Sequence, residues 1–460
     1  MDSHPAPHFM ARQGAASSEP RIQNAAFKMQ DSKCKSRVVL WSVHFAFCIF
    51  NFAFLGAAEK DEAPTNMQID AQIPGGNIIV DKIEGDTVSL RQDLRDTAGD
   101  WFYWCFRVRG AAGRTVTFCF TRGDVMGARG PACSRDGGKT WAWLGRPQAA
   151  SGGAPSPPAP LPAGERGKQK PPSFSYSFGA GEAEVRFCFA IPYFETNLKD
   201  FLAKYEKRPE LKAETLCLTK KNRAAEVLFF GPPPRKAEFH LVFTCRHHSC
   251  ESLANYELEG ILEAMLADDE TGRWYGRHAS AMFVPFVDKD GVEDGDQGKN
   301  RRPHDHNRDY AGVAVYPTVA AIRKLVPEWS EGRVDLALDL HCPSRMDKVI
   351  QFIGGPNLKI WERVGRLSQV LEETKKGPLP FSAKDDLPYG KSWNTSTGPL
   401  MSFGRWAGEL PGTWVATTVE FPYATVKSAE VTPENARLFG RDLAVAIRTY
   451  LEKEGRGAKP

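Results

Sequence analysis

The chain has 460 residues, of which 42% are hydrophobic and 25% charged, enough apolar material for a sizeable core and too much for a disordered polymer. Its formal charge is only +4, and no run of Lys or Arg is interleaved with aromatic residues, which argues against a nucleic-acid partner. The length predicts two globular domains.

Residues 1–28 are polar and unpatterned. Met29 is followed by Lys33, Lys35 and Arg37, then by the apolar run VVLWSVHFAFCIFNFAFLGAA, which ends in the small residues Gly56, Ala57 and Ala58. This is the layout of a secretory signal read from Met29 and cleaved after Ala58, and it predicts an exported protein, secreted or periplasmic. The alternative is an uncleaved anchor, because the run is about long enough to span a bilayer; a membrane is a partner only in that case. Residues 1–58 carry six Lys or Arg against three Asp or Glu, so their removal takes the charge from +4 to +1. Export would favour disulfides among the ten cysteines. Many of these lie inside apolar runs such as WFYWCFRV, TVTFCF and VRFCFAI, where a free thiol packs as a small hydrophobe, and no pairing is assigned.

From residue 67 to 192 the pattern is short, alternating and rich in aromatic and β-branched residues: NIIVDKI, DTVSLRQD, WFYWCFRVRG, RTVTFCF, TWAWLG, FSYSFGAG and EVRFCFAI. Turn residues separate the runs, which predicts an antiparallel β-sandwich. The stretch 147–173 is dominated by Pro, Gly and Ala and reads as an exposed insertion. Beyond residue 193, and up to about 456, longer helical patterns such as TNLKDFLAKYEK, ESLANYELEGILEAMLA and LKIWERVGRLSQVLEET alternate with buried runs such as HLVFTC, VDLALDL and TWVATTVEF. That alternation predicts an α/β sheet with helices on both faces.

Two of these buried strands end on metal-binding residue types. HLVFTC leads into His248-Ser249-Cys250-Glu251, and VDLALDL into His341. Two imidazoles and a carboxylate form the donor set of a catalytic zinc, which keeps a fourth position open. Strand carboxyl ends are where open α/β sheets place their ligands. Cys250 and Cys342 flank these residues, but neighbours of a ligand on an extended chain point elsewhere, so neither is assigned to the metal. The charged segment Asp288 to Tyr310 holds Arg301, Arg302, Asn307 and Arg308, and an Arg fork beside an Asn suits a carboxylate. Glu420 ends a nearly all-apolar strand, where a carboxylate needs a cleft, a water or a cation to face.

HHSCES, PHDHNRDY, DLHCPS and TTVEFPY together resemble the M14 zinc carboxypeptidases, whose order is HxxE, an Arg before an Asn-Arg pair, a distant His and a late Glu. The sandwich-like run WFYWCFRVRGAAGRTVTF and the junction AIPYFETNLKDFL are similar to the cytosolic carboxypeptidase-like branch. The resemblance covers about residues 76–454. It implies a mixed sheet behind a β-sandwich and one zinc per chain, held by His248, Glu251 and His341. It further implies that Asn307 and Arg308 hold the substrate's terminal carboxylate, that Glu420 is the general base, and that Arg302, or else Arg301, polarises the scissile carbonyl. Tyr389 is the candidate active-site tyrosine, with Tyr423 a poorer one. The implied activity removes a C-terminal amino acid from a peptide or protein. Alternatives are an amidohydrolase acting on N-acyl amino acids, trimming of cell-wall peptides, and a non-catalytic binding protein. Arg345 and Lys348, just after His341, are candidates for favouring acidic C-terminal residues. The export signal departs from a branch named as cytosolic.

Overall fold

The computed structural model describes residues 67–145, 171–395 and 398–455. The expected signal segment 29–58 and most of the insertion 147–173 lie outside the described residues. Among the described residues, no helix is long and apolar enough to cross a membrane.

The first strands are β1 (Gln68–Asp70), β2 (Ile79–Glu84), β3 (Thr87–Arg91), β4 (Cys105–Arg109), β5 (Thr115–Phe120), β6 (Ala132–Ser134), β7 (Ala142–Trp143), β8 (Ser173–Ser177) and β9 (Glu184–Cys188). They form a five-stranded sheet in the order β1-β4-β9-β6-β7 and a four-stranded sheet in the order β2-β3-β5-β8. Alternate residues of β5 and β8 are buried, as the period of two demands. The two inner faces meet through aromatic rings: Phe106 of β4 lies 5.4 Å from Phe118 of β5, and Phe174 of β8 lies 5.2 Å from Phe187 of β9. One pair departs from the expected antiparallel sandwich, since β3 and β5 run parallel. Between them the chain lays β4 into the other sheet, so it re-enters beside β3 from the same end.

The second part contains β10 (Leu211–Leu218), β11 (Ala224–Phe230), β12 (Phe239–Cys245), β13 (Ala279–Val284), β14 (Leu336–His341), β15 (Gln351–Ile353) and β16 (Val415–Glu420). They make one mixed sheet in the order β10-β11-β13-β12-β14-β16-β15, in which β13, β12, β14 and β16 are parallel. Every residue of β12, β13 and β14 is buried, so both faces of the central sheet are covered and the α/β expectation holds. The covering helices are α1 (Glu195–Ala203), α2 (Leu253–Leu266), α3 (Glu270–His278), α4 (Lys289–Asp294), α5 (Pro317–Trp329), α6 (Leu358–Thr374), α7 (Phe403–Glu409) and α8 (Pro433–Glu454). Helices α2 and α8 approach closely at two glycines: a Cβ on Gly440 would lie 2.1 Å from the Glu257 carbonyl oxygen, and one on Gly260 would lie 2.0 Å from that of Arg437. Helices α3, α4 and α7 are not evident from apolar periodicity, because each is short and contains glycine. Their starts are set by caps, with Asp269, Asp288 and Ser402 accepting from the backbone N–H of Gly272, Gly291 and Arg405.

Candidate active site

Strands β12, β14 and β16 are adjacent and parallel, so their carboxyl ends open on one edge of the sheet. His341, the last residue of β14, sits directly opposite Glu420, the last of β16. After β12 the chain turns at Arg246, whose φ of 59° is left-handed. The buried Arg246 guanidinium secures that turn, donating to the Ser249 carbonyl at 3.1 Å, the Tyr193 carbonyl at 2.9 Å and Asn255 Oδ1 at 2.8 Å. His248 and Glu251 ride on this fixed loop.

The three expected ligands converge. His248 Nδ1 lies 3.0 Å from Glu251 Oε1, and His341 Nδ1 lies 2.7 Å from Glu251 Oε2. One donor atom from each lies within 4.8 Å of the others, close enough to hold a metal ion. The far nitrogens face carboxylates: His341 Nε2 is 2.7 Å from Asp339 Oδ2, and His248 Nε2 is 3.6 Å from Asp305 Oδ1. A metal-ligating imidazole backed by a carboxylate has its ring orientation fixed and its basicity raised. The donor set and its backing therefore fit zinc. A second group, His247, Asp339 and His341, is also compact, but both nitrogens of His247 already have hydrogen-bond partners.

The basic residues of the 288–310 segment divide differently from the sequence expectation. Arg301 is bound by three carboxylates, Asp96 at 3.0 Å, Asp288 at 2.9 Å and Asp296 at 2.9 Å, and does not line the cavity. Arg302 is exposed, lines no part of the cavity and makes no ion pair among the described residues. Besides Arg308, the cation of this segment that enters the site is Lys299, which the sequence does not single out. Its ammonium lies 2.6 Å from Glu251 Oε1 and 5.1 Å from the ring centre of Trp101. Burial opposes its charge, but Glu251, Cys250 and Glu420 outweigh that and raise its pKa. Gly298 makes this approach possible: its φ is +75°, and a Cβ there would sit 2.2 Å from the Ser249 backbone nitrogen.

A cavity of about 250 Å³ runs along the site, lined by His248, His341, Lys299, Asn307, Arg308, Tyr389 and Glu420 among others. Asn307 is buried, with its amide nitrogen 3.2 Å from His341 Nε2 and its Oδ1 accepting from the Phe403 backbone at 2.9 Å. The Arg308 guanidinium donates to the Asn307 carbonyl at 2.9 Å and still reaches the cavity. Tyr423 is instead packed among Phe102 and Phe189, 3.6 Å from Cys250 Sγ. Cys250 and Cys342 are free buried thiols. Arg345 donates to the Met126 carbonyl at 3.0 Å and Lys348 is exposed, so neither side chain lines the cavity as a specificity determinant would. Arg405 and Trp393, absent from the sequence reading, do line it.

Glu420 is partly open to the cavity, yet its Oε2 is shielded from solvent and has no hydrogen-bond partner among the described residues. Burial pushes its carboxyl up to about 7, while His341 pulls the other way. Glu251 shows the opposite balance: burial pushes its carboxyl up, but Lys299, His248 and His341 together hold it well below the usual range.

No protein-family model matches the chain. Among curated proteins, it is 22% identical over 208 residues to cytosolic carboxypeptidase 6 of Caenorhabditis elegans, covering 43% of this chain and 45% of that protein. It is 26% identical over 176 residues to cytosolic carboxypeptidase 3 of Mus musculus, covering 36% of this chain and 18% of that one. The matches therefore span less than half the length of either relative. Among solved structures, a metallo-carboxypeptidase from Burkholderia cenocepacia superposes with a TM-score of 0.66 at 17% identity, over 84% of this chain and 99% of that one. The metallo-carboxypeptidase from Pseudomonas aeruginosa in complex with (2-guanidinoethylmercapto)succinic acid gives 0.65 at 18% identity, with the same coverage. These likenesses cover both the sandwich and the mixed sheet. In sequence the chain is similar to cytosolic carboxypeptidases over less than half its length, and in fold it is similar to the metallo-carboxypeptidases.

Proposed function

We propose that the chain is a zinc-dependent carboxypeptidase that hydrolyses a C-terminal amino acid from a peptide or protein. The observation that carries this reading is the pairing of His341 with Glu420 at adjacent strand ends, with His248, Glu251, Lys299 and Arg308 along the same cavity wall or just behind it. His248, Glu251 and His341 would hold the metal, which when bound supplies a Lewis acid that polarises a carbonyl and acidifies water. Arg308, with Asn307 beside it, pairs with the substrate's terminal carboxylate. A mid-chain peptide brings no such charge, which restricts cleavage to chain ends. Lys299 donates to the scissile carbonyl oxygen as negative charge develops there, the part the resemblance gives to Arg302. Glu420 takes a proton from the attacking water and delivers it to the departing amine. That Tyr389 lines the cavity supports it as the tyrosine that touches substrate.

The test uses peptides with free and amidated C-termini and purified protein of known zinc content. Release of single C-terminal residues from the free peptides alone is expected. Equal cleavage of the amidated peptides, or hydrolysis of N-acyl amino acids with no action on free peptides, overturns the reading. Residues 29–58 support export, whereas the curated relatives carry "cytosolic" in their names. N-terminal sequencing of the mature protein decides: a start at Glu59 is expected, and a retained Met1 or Met29 overturns export.

A further inference from the structure

His247 is wholly buried, immediately before the ligand His248, and it belongs to no part of the chemistry described so far. Its Nε2 lies 2.8 Å from the Tyr310 hydroxyl, and its Nδ1 lies 2.7 Å from Asp339 Oδ1. The other oxygen of Asp339 is the one 2.7 Å from His341 Nε2. Thr244 Oγ1 also donates to Asp339 Oδ1, at 2.9 Å. The four residues Tyr310, His247, Asp339 and His341 thus form an unbroken hydrogen-bonded chain from the protein core to a proposed metal ligand, each of them at most 1% exposed.

The chemistry of the partners gives the chain a direction. A carboxylate only accepts, so both imidazole nitrogens that face Asp339 carry protons. With Nδ1–H of His247 donating to Asp339, its Nε2 is the acceptor for the Tyr310 hydroxyl. His341 faces a carboxylate at each nitrogen, Asp339 at Nε2 and Glu251 at Nδ1; a metal held by Nδ1 and Glu251 would displace the Nδ1 proton and leave Nε2–H donating to Asp339. The rings of His247 and His341 are nearly parallel, 7° apart with centres at 5.7 Å, and Phe403 packs against both His247 and Tyr310 at 5.8 Å and 5.5 Å. Thr244 and His247 both donate to Asp339 Oδ1, so the oxygen opposite the one that meets His341 is held from two sides, the nearer contact being that of His247.

We infer that His247 is a positioning residue for the metal centre: through Asp339 it fixes the tautomer and ring orientation of His341, with Tyr310 fixing His247 in turn. This rests on the zinc reading of the site and adds that the ligand set depends on a histidine that never touches the metal.

The test is zinc affinity, measured by competition with a chelator of known affinity, together with the visible spectrum of the cobalt-substituted protein. His247→Leu should weaken zinc binding by about 10- to 100-fold and alter the cobalt spectrum. His247→Gln keeps one N–H donor and one acceptor in comparable places and should restore most of the affinity. Tyr310→Phe should weaken it by less than His247→Leu. The metal-free His247→Gln and Tyr310→Phe proteins keep the test valid if His247→Leu does not fold. Equal zinc affinity in wild type and all three variants overturns the positioning role alone. A wild-type protein that binds no zinc overturns the zinc reading together with it.

Discussion

Lys299→Met is the substitution that most directly tests the proposed chemistry. It removes the cation of the 288–310 segment that lies against the proposed ligand Glu251, whereas Arg308 lines the same cavity without touching that carboxylate. A lost oxyanion donor costs about 10²- to 10³-fold in kcat. The Lys299 ammonium already shares its charge with Glu251 at 2.6 Å, which places the expected loss near the lower end, about 10²-fold. Lys299→Arg keeps a cation and should lose about tenfold or less. The neighbouring arginines supply controls with opposite signatures. Arg301→Met leaves Asp96, Asp288 and Asp296 facing one another without a counter-charge and should cost about 3–5 kcal/mol of stability. Arg302→Met, at an exposed position, should change neither stability nor kcat. The assay is kcat and KM on a peptide with a free C-terminus, beside zinc content and the thermal midpoint of each variant. Full kcat in zinc-loaded Lys299→Met, or a hundredfold loss in Arg302→Met, would refute the assignment.

Other predictions follow from single contacts. Glu420→Gln should retain zinc and lose about 10²- to 10⁴-fold in kcat, whereas His248→Ala should lose the metal itself; metal analysis beside kinetics separates the two. Burial raises the Asp386 carboxyl from 3.8 to about 6. The folded state therefore binds its proton more tightly than the unfolded chain does, and stability from this group falls as pH rises from about 4 to about 6. Asp386→Asn should raise the thermal midpoint above pH 6 and leave it unchanged below pH 4, and a pH-independent difference would contradict the cause. Gly440→Ala would drive a methyl into the α2 backbone and should cost about 1–3 kcal/mol by denaturant titration.

Much of this site was legible because it sits at the ends of strands. A buried run such as HLVFTC or VDLALDL has one register in which all its side chains pack, so the residue types at its carboxyl end are placed almost without choice. His248, Glu251, His341 and Glu420 were found that way. Lys299 was not, and Arg301 was named without the three carboxylates that hold it, because a charged loop has no period. Which cation is neutralised depends on Asp96, some two hundred residues earlier, and on a glycine's φ. Asp339 carried a readable signal that went unused: a carboxylate inside an all-apolar strand, two residues before His341 and so on the same face. His247 carried none, since adjacent histidines look alike until Arg246 turns one into the core. The parallel pairing of β3 with β5 was equally hidden, because alternation fixes which face is buried and is silent on strand direction.

The contact of Asp96 with Arg301 and of Trp101 with Lys299 changes what the β-sandwich is for. Both residues precede β4, yet they meet the two cations that organise the loop over the metal ligands. Excising residues 193–456 as a minimal hydrolase would leave Arg301 short of one carboxylate and Lys299 without its aromatic support. The segment before β4 thus braces, from outside the cavity, the loop that carries Lys299 and Arg301, and a fragment lacking it would keep every proposed ligand and the proposed base while losing that brace.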